Sequence, residues 1–240
     1  MLILGIDTSG RSGGITLAEG DAQSFRAIES APIAGGTFSA QLVPTISSLL
    51  ARHGYTVKDL RGFAVASGPG SFTGLRVGLS AVKGLAEVLG QPIATVSILQ
   101  AVAAGVTWEG KSRPSHPVCL AVLDASREEV FLGEYECLHK PAPKMLSESL
   151  LSLAALADRL SSWGDSANLV TPDTTIVDAL RRLVPDSFRV SISLVPRPTS
   201  GDIARIGLGK LLAGETVSVE DLDANYIRRS DAEIFSKVDR

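Results

Sequence analysis

The chain begins the same way twice. Leu2-Ile3-Leu4-Gly5-Ile6-Asp7 is a short apolar run that stops at an aspartate, with Thr8 and Ser9 after it. Val118-Cys119-Leu120-Ala121-Val122-Leu123-Asp124 is a second such run, with Ala125 and Ser126 after it. Each is followed by another strand-like segment, Gly14 to Leu17 in the first half and Glu129 to Tyr135 in the second. Short apolar runs bounded by turn residues read as buried strands. Two matching starts in a chain of 240 residues predict two related halves. Thr107 to Pro117, which holds Trp108, Gly110, Lys111 and Pro114, reads as the connection between them. The expected organisation is therefore a first lobe over 1–106, a linker over 107–117, and a second lobe over 118–240.

The first half reads as an α/β unit. After the opening strand and the Gly-containing turn, Gly14 to Ala18 and Gln23 to Ile28 continue an antiparallel meander. Phe38, Leu42, Val43, Ile46, Leu49 and Leu50 then fall at helical spacing, and Gly54 is a stop signal. Phe63 to Ala66 is a buried strand, Gly68 to Thr73 a loop, Gly74 to Leu89 a helix ended by Gly90, and Ile93 to Val96 a further strand. The order is βββαβαβ. In the second half Leu150 to Leu160, Ile176 to Leu183 and Ile203 to Leu212 read as helices, with Leu169-Val170 and Phe188 to Val195 as weaker strands.

Composition removes several function classes. An apolar share of 45% excludes a disordered chain, and a net charge of -3 argues against a protein that binds nucleic acid alone through a broad basic face. Cys119 and Cys137 cannot build a disulfide framework, lie in strand-like segments, and read as small core residues. His53, His116 and His139 are far apart and lack metal-ligand spacing, so no metal site is expected. No cationic stretch precedes Asp7, and no apolar run approaches the roughly 20 residues of a membrane span. The expected location is the cytoplasm, with no membrane contact.

Two segments are candidates for chemistry or binding. Gly68-Pro69-Gly70-Ser71-Phe72-Thr73-Gly74 joins a strand to a helix, so its amides and the positive helix end suit a phosphate or carboxylate. It is neither a Walker A loop, since no Lys-Ser or Lys-Thr follows Gly74, nor a dinucleotide fingerprint. Ser71 or Thr73 could equally cap the helix. Asp7, Thr8 and Ser9 could face a hydrated Mg²⁺ and phosphates, or form an Asx turn. A nucleophilic serine, a paired-carboxylate hydrolase through Asp7 and Asp124, and an aromatic stacking platform each lack supporting residues. The second candidate is the helix from 74 to 89, which carries Gly74, Gly78, Ser80, Ala81 and Gly84. Each interior glycine costs about 1 kcal/mol relative to alanine, so close approach of another backbone is expected, either its own sheet or a second chain.

Gly68-Pro-Gly-Ser-Phe-Thr-Gly-Leu-Arg-Val-Gly78, preceded by Ile3-Leu-Gly-Ile-Asp-Thr-Ser9, closely resembles the TsaB (YeaZ) family of bacterial tRNA threonylcarbamoyladenosine biosynthesis proteins. Asp124-Ala125 through Glu129-Val130-Phe131 and Tyr226-Ile227-Arg228 are similar to two further family segments, so the resemblance spans the chain. It implies an actin/Hsp70-like fold of two duplicated ribonuclease-H-like lobes. It also implies a non-catalytic subunit that pairs with a catalytic TsaD-like paralogue and a TsaE-like ATPase, touching tRNA only through that complex. Alone, such a chain could pair with a second copy, and the sequence does not decide between monomer and homodimer. By the same resemblance the helices over 38–53 and 74–89 form the partner surface, with Phe38, Leu42, Ile46, Gly74, Gly78, Ala81, Val82 and Leu85 as its candidate residues. Asp7, Thr8, Ser9, Gly68, Gly70, Ser71 and Thr73 are the candidate nucleotide ligands, for weak binding of ATP or ADP with Mg²⁺.

The chain departs from the family pattern in three places. Phe38-Ser39 stands where a His-Ser or His-Thr pair is usual, Ser126 replaces the arginine of Asp-Ala-Arg, and Ala224 replaces a proline. No catalytic residue is therefore assigned, and catalysis by the chain alone is not expected. The alternative is a stand-alone ATP-dependent kinase of the same superfamily. The glycoprotease label carried by the wider family finds no zinc site or nucleophile here.

Overall fold

A computed structural model describes residues 1–106, 118–137, 142–163, 167–183 and 191–227. The expected linker over 107–117 lies outside them, as do His116, His139, Phe188 and Arg228. The chain divides into two compact units: Met1–Ala101 with Pro198–Asn225, and Val102–Arg197 with the chain end from Tyr226.

In the first unit, β1 (Leu2–Asp7), β2 (Ser12–Gly20) and β3 (Phe25–Ala34) form an antiparallel meander, and β4 (Phe63–Gly68) and β5 (Ile93–Ser97) add in parallel beyond β1. The sheet order is β3-β2-β1-β4-β5. Strand side chains alternate between faces, so β1 serves two cores. Leu4 and Ile6 pack with Leu42, Ile46 and Leu49 of α1 (Phe38–Arg52) and with Leu75, Leu79 and Val82 of α2 (Phe72–Leu89). Ile3 packs with Ala204, Leu208 and Leu211 of α6 (Ser200–Leu212) on the other side. Fully burying such an aliphatic side chain is worth about 1.5–3 kcal/mol.

The second unit repeats the plan. β6 (Val118–Asp124), β7 (Glu129–Glu136) and β8 (Lys144–Ser152) form the meander, and β9 (Ala167–Thr171) and β10 (Ser191–Leu194) pair in parallel, in the order β10-β9-β6-β7-β8. Leu120 and Val122 pack with Leu156 and Leu160 of α4 (Leu153–Trp163) and with Ile176 and Leu180 of α5 (Thr174–Leu183). The duplication expected from the two apolar starts is present strand for strand.

Three elements differ from expectation. α3 (Ile98–Ala104) follows β5 directly. β8 occupies a stretch whose end was expected to be helical. Leu150, Leu151, Leu153, Leu156 and Leu160 fit a helical period, but pairing with β7 from Glu129↔Ser152 to Glu136↔Lys144 holds the chain extended through Ser152. The largest difference is α6, which a boundary of 118–240 places in the second lobe and which packs on the first sheet. Small residues on both sides allow this. A Cβ on Gly5 would lie 2.6 Å from that of Ala204, and one on Gly207 would overlap Ala64. The Thr16 hydroxyl, fully buried, bonds those of Ser200 and Ser30 at 2.8 Å each, and Lys210 Nζ donates to the Thr95 carbonyl at 2.8 Å. Beyond α6 the chain stays on this unit through Asn225. Val217 bridges Ile93 on β5, Leu222 is buried in the core, and the Asn225 amide donates to the Ser67 carbonyl at 2.7 Å.

Candidate functional site

The sheet of the first unit brings the expected ligand residues together at the carboxyl ends of β1 and β4, the end where open α/β sheets bind ligands. Asp7 ends β1, and its Oδ1 accepts the Ser9 amide at 2.8 Å and the Ser9 hydroxyl at 2.7 Å, an Asx turn. Asp7, Thr8 and Ser9 are all buried. The Ser9 carbonyl in turn accepts the Ser71 amide at 2.7 Å. Ser71 is the N-cap of α2, where its hydroxyl accepts the Gly74 amide at 3.2 Å. Both intrachain readings of these motifs are thus realised: the aspartate turns on its own backbone, and the serine caps its own helix.

Glycines set how closely these parts approach. A Cβ on Gly70 would overlap the Ser9 carbonyl, one on Gly74 the Thr8 carbonyl, and one on Gly78 the Thr8 hydroxyl. Gly68 has φ +117°, a conformation open to glycine, and bends the chain from β4 into the loop. Backbone therefore lies on backbone here, and the exposed remainder of the loop is Gly70, Ser71, Phe72 and Thr73.

The same glycines reassign the helix faces. Phe38, Leu42, Ile46 and Val82 are buried in the unit's own core, and Gly74 and Gly78 are buried against the Thr8 turn. These six candidate partner residues face inward, because helix and turn need them there. Ala81 and Leu85 are half-buried. The outer stripe of α2 is Phe72, Arg76, Ser80, Gly84 and Val88, all exposed and spaced four apart. The Arg76 guanidinium lies 3.8 Å from the Phe72 ring centroid, a cation–π contact. Val88 is 84% exposed, Val43 on the neighbouring α1 is 61% exposed, and a Cβ on Gly84 would meet no atom within 4 Å.

In the second unit, the Asp124 Oδ1 accepts the Ser126 amide at 2.8 Å, repeating the Asx turn of Asp7. Ser126, Arg127 and Glu128 follow at φ 62°, 57° and 59°, each unfavourable by about 1–2 kcal/mol for an L-residue. Asp173 supports this turn, accepting the Asp124 amide at 3.1 Å and pairing with Arg197 at 2.7 Å. No sequence spacing signals Asp173 or Arg197; parallel pairing of distant strands joins them. His53 pairs with Glu29 on the surface. Among the described residues, no group of three or more His, Cys, Asp or Glu is placed to hold a metal, and no helix is long and apolar enough to cross a membrane.

A family model described as TsaD, tRNA N6-adenosine threonylcarbamoyltransferase, matches residues 32–179. The chain is similar to the tRNA threonylcarbamoyladenosine biosynthesis protein TsaB of Bacillus subtilis, at 28% identity over 235 residues covering 97% of this chain and 96% of the relative. Against the protein of the same name from Escherichia coli it is 32% identical over 205 residues, covering 80% and 81%. Among solved structures, YeaZ from Pseudomonas aeruginosa superposes with a TM-score of 0.72 at 24% identity, covering 94% of this chain and 99% of that one. The fold is accordingly that of the actin-like superfamily, with two α/β lobes.

Proposed function

The chain belongs to the TsaB (YeaZ) family, and from that premise we propose that it is the non-catalytic scaffold and activator subunit of the complex that makes threonylcarbamoyladenosine in tRNA. Involvement in that biosynthesis follows from the family. The finer reading is that a TsaD-like catalytic subunit docks on the outer faces of α1 and α2, and that a TsaE-like ATPase joins the pair. The observation that carries it is the outer stripe itself. Val88 on α2 and Val43 on α1 stand in solvent, and Gly84 of α2 has open space above it, so a partner packed on these helices would cover apolar side chains that this unit leaves exposed. Covering one valine is worth up to about 1.5 kcal/mol. A second copy of the chain takes the same face when the subunit is alone. With a net charge of -3, tRNA contact falls to the partners.

Depletion of the protein in its own cell, followed by nucleoside mass spectrometry of total tRNA, tests the pathway role. Loss of threonylcarbamoyladenosine is expected, and an unchanged level refutes the proposal. Co-purification with the TsaD-like subunit tests the pairing.

The kinase alternative is less well supported. The Asp7 carboxylate is turned onto Ser9, and the Ser71 and Gly74 amides at the helix start already have acceptors. Titration of the purified chain with ATP and Mg²⁺ in a calorimeter should therefore show weak binding or none. Saturable tight binding with Asp7-dependent turnover would restore the kinase reading.

A further inference from the structure

Cys119 and Cys137 are the two cysteines of the chain, and the fold brings them to one place. Cys119 is the second residue of β6, held between β7 and β9. Cys137 directly follows the last residue of β7. The β6–β7 register sets Cys119 opposite Tyr135, and Cys137, two residues further along, continues on the face of Tyr135. The Cα atoms are 6.2 Å apart and the sulfurs are paired; bridged cysteines span about 4.4–6.8 Å.

Two further observations bear on what this pair does. The ladder from Val118↔Glu136 to Asp124↔Val130 is unbroken, so backbone hydrogen bonds hold β6 on β7 with or without the covalent link. Reduced thiols would thus remain within reach of one another. The two residues also differ in position, since Cys119 is 0% exposed inside the sheet whereas Cys137, 6% exposed, lies just past the strand end.

We infer that Cys119 and Cys137 are a reversible thiol–disulfide pair, with Cys137 the entry point and Cys119 the resolving thiol. The oxidant is a small disulfide of the glutathione class. The Cys137 thiolate attacks one sulfur of that disulfide, an S–S bond to Cys137 forms, the reagent's own S–S bond breaks, and one thiolate leaves. The Cys119 thiolate then attacks the Cys137 sulfur and expels the second thiolate. Two protein thiols are oxidised to one disulfide, and the two protons they give up pass to the leaving thiolates, so the reagent is reduced to two thiols. A dithiol reductant runs the sequence backwards. The closed bond restricts the unfolded chain across the β6–β7 hairpin, so the oxidised form is the more heat-stable.

Intact mass spectrometry of the full-length protein tests this. After reduction, desalting and exposure to oxidised glutathione under native conditions, the expected product has lost two hydrogen atoms, carries no adduct, and regains both thiols on reduction. Cys119→Ala should stop at a glutathione adduct on Cys137. Cys137→Ala should stay unmodified while folded and react only in denaturant. The oxidised wild type should melt roughly 5–10 °C above the reduced form, a difference absent in both variants. Wild-type protein that keeps two alkylatable thiols, retains a glutathione adduct or forms intermolecular dimers would overturn the inference, and that measurement decides even if a variant does not fold.

Discussion

Gly78 and Gly84 look alike in the sequence, two glycines inside one helix, yet they have opposite surroundings. A side chain at Gly78 meets the Thr8 hydroxyl, while one at Gly84 meets nothing. Gly78→Leu should therefore destabilise the chain by roughly 1–3 kcal/mol through overpacking, read as a lower urea midpoint with an unchanged slope. A Gly78→Leu protein as stable as wild type would show that the Thr8 turn is not seated on α2. The need for bare helix surface is legible from composition, since glycine in a helix is unfavourable without a reason. Which glycine answers which need is set by the close approach of Thr8, a tertiary contact without a local signal. Glu29 gives a second prediction at this scale. The Arg52 guanidinium, and then His53, hold its carboxyl below the usual glutamate value of 4.5. A carboxylate whose folded value is depressed adds stability above its unfolded value and loses it as pH falls through the folded one. The stability difference between wild type and Glu29→Gln should accordingly shrink as pH falls below 4.5, remaining small because the pair is on the surface. A difference that grows on acidification would contradict the pairing.

At the scale of elements, α2 was readable as a helix with a capped start and a glycine stop. Ser71 caps it, and Gly90 ends it at φ 63°. Its orientation was not readable, because Leu75, Leu79, Val82 and Ala86 define one buried stripe while Phe72 and Val88, equally apolar, stand outside it. The strand β8 shows the same limit from the other side, with leucines at helical spacing overruled by a partner strand. The outer stripe is where the partner prediction belongs. Gly84→Trp places a large side chain in open solvent and replaces a poor helix former, so thermal stability should be unchanged or slightly raised. Co-elution with the TsaD-like subunit on size exclusion should be lost, because the indole keeps the partner helix away. If Gly84→Trp co-elutes like wild type, the partner does not use this face.

At the scale of the molecule, the doubled opening predicted two units and the strand orders bear that out. What the repeat could not disclose is that the first unit is discontinuous in sequence. Residues Pro198–Asn225 return to it after Val102–Arg197 of the second unit, and the signal for that return is only a set of small residues, Gly5, Ala64, Ala204 and Gly207, scattered over the chain. Thr199 and Asp202 start α6 with a reciprocal capping box, Asp202 Oδ2 accepting the Thr199 amide at 2.9 Å. The helix itself is therefore locally encoded while its docking is not. This separation can be tested by placing a bulky side chain at Gly207, which lies on Ala64 of β4. Gly207→Leu should lower stability by more than about 3 kcal/mol, since neither α6 nor β4 can yield without losing buried contacts. The decisive reading is where the damage falls. Hydrogen exchange followed by mass spectrometry should show amides of β1 and β4, far upstream in sequence, losing protection, while those of β6 and β9, nearer in sequence, keep theirs. Loss centred on β6 and β9 would mean that α6 serves the second unit after all.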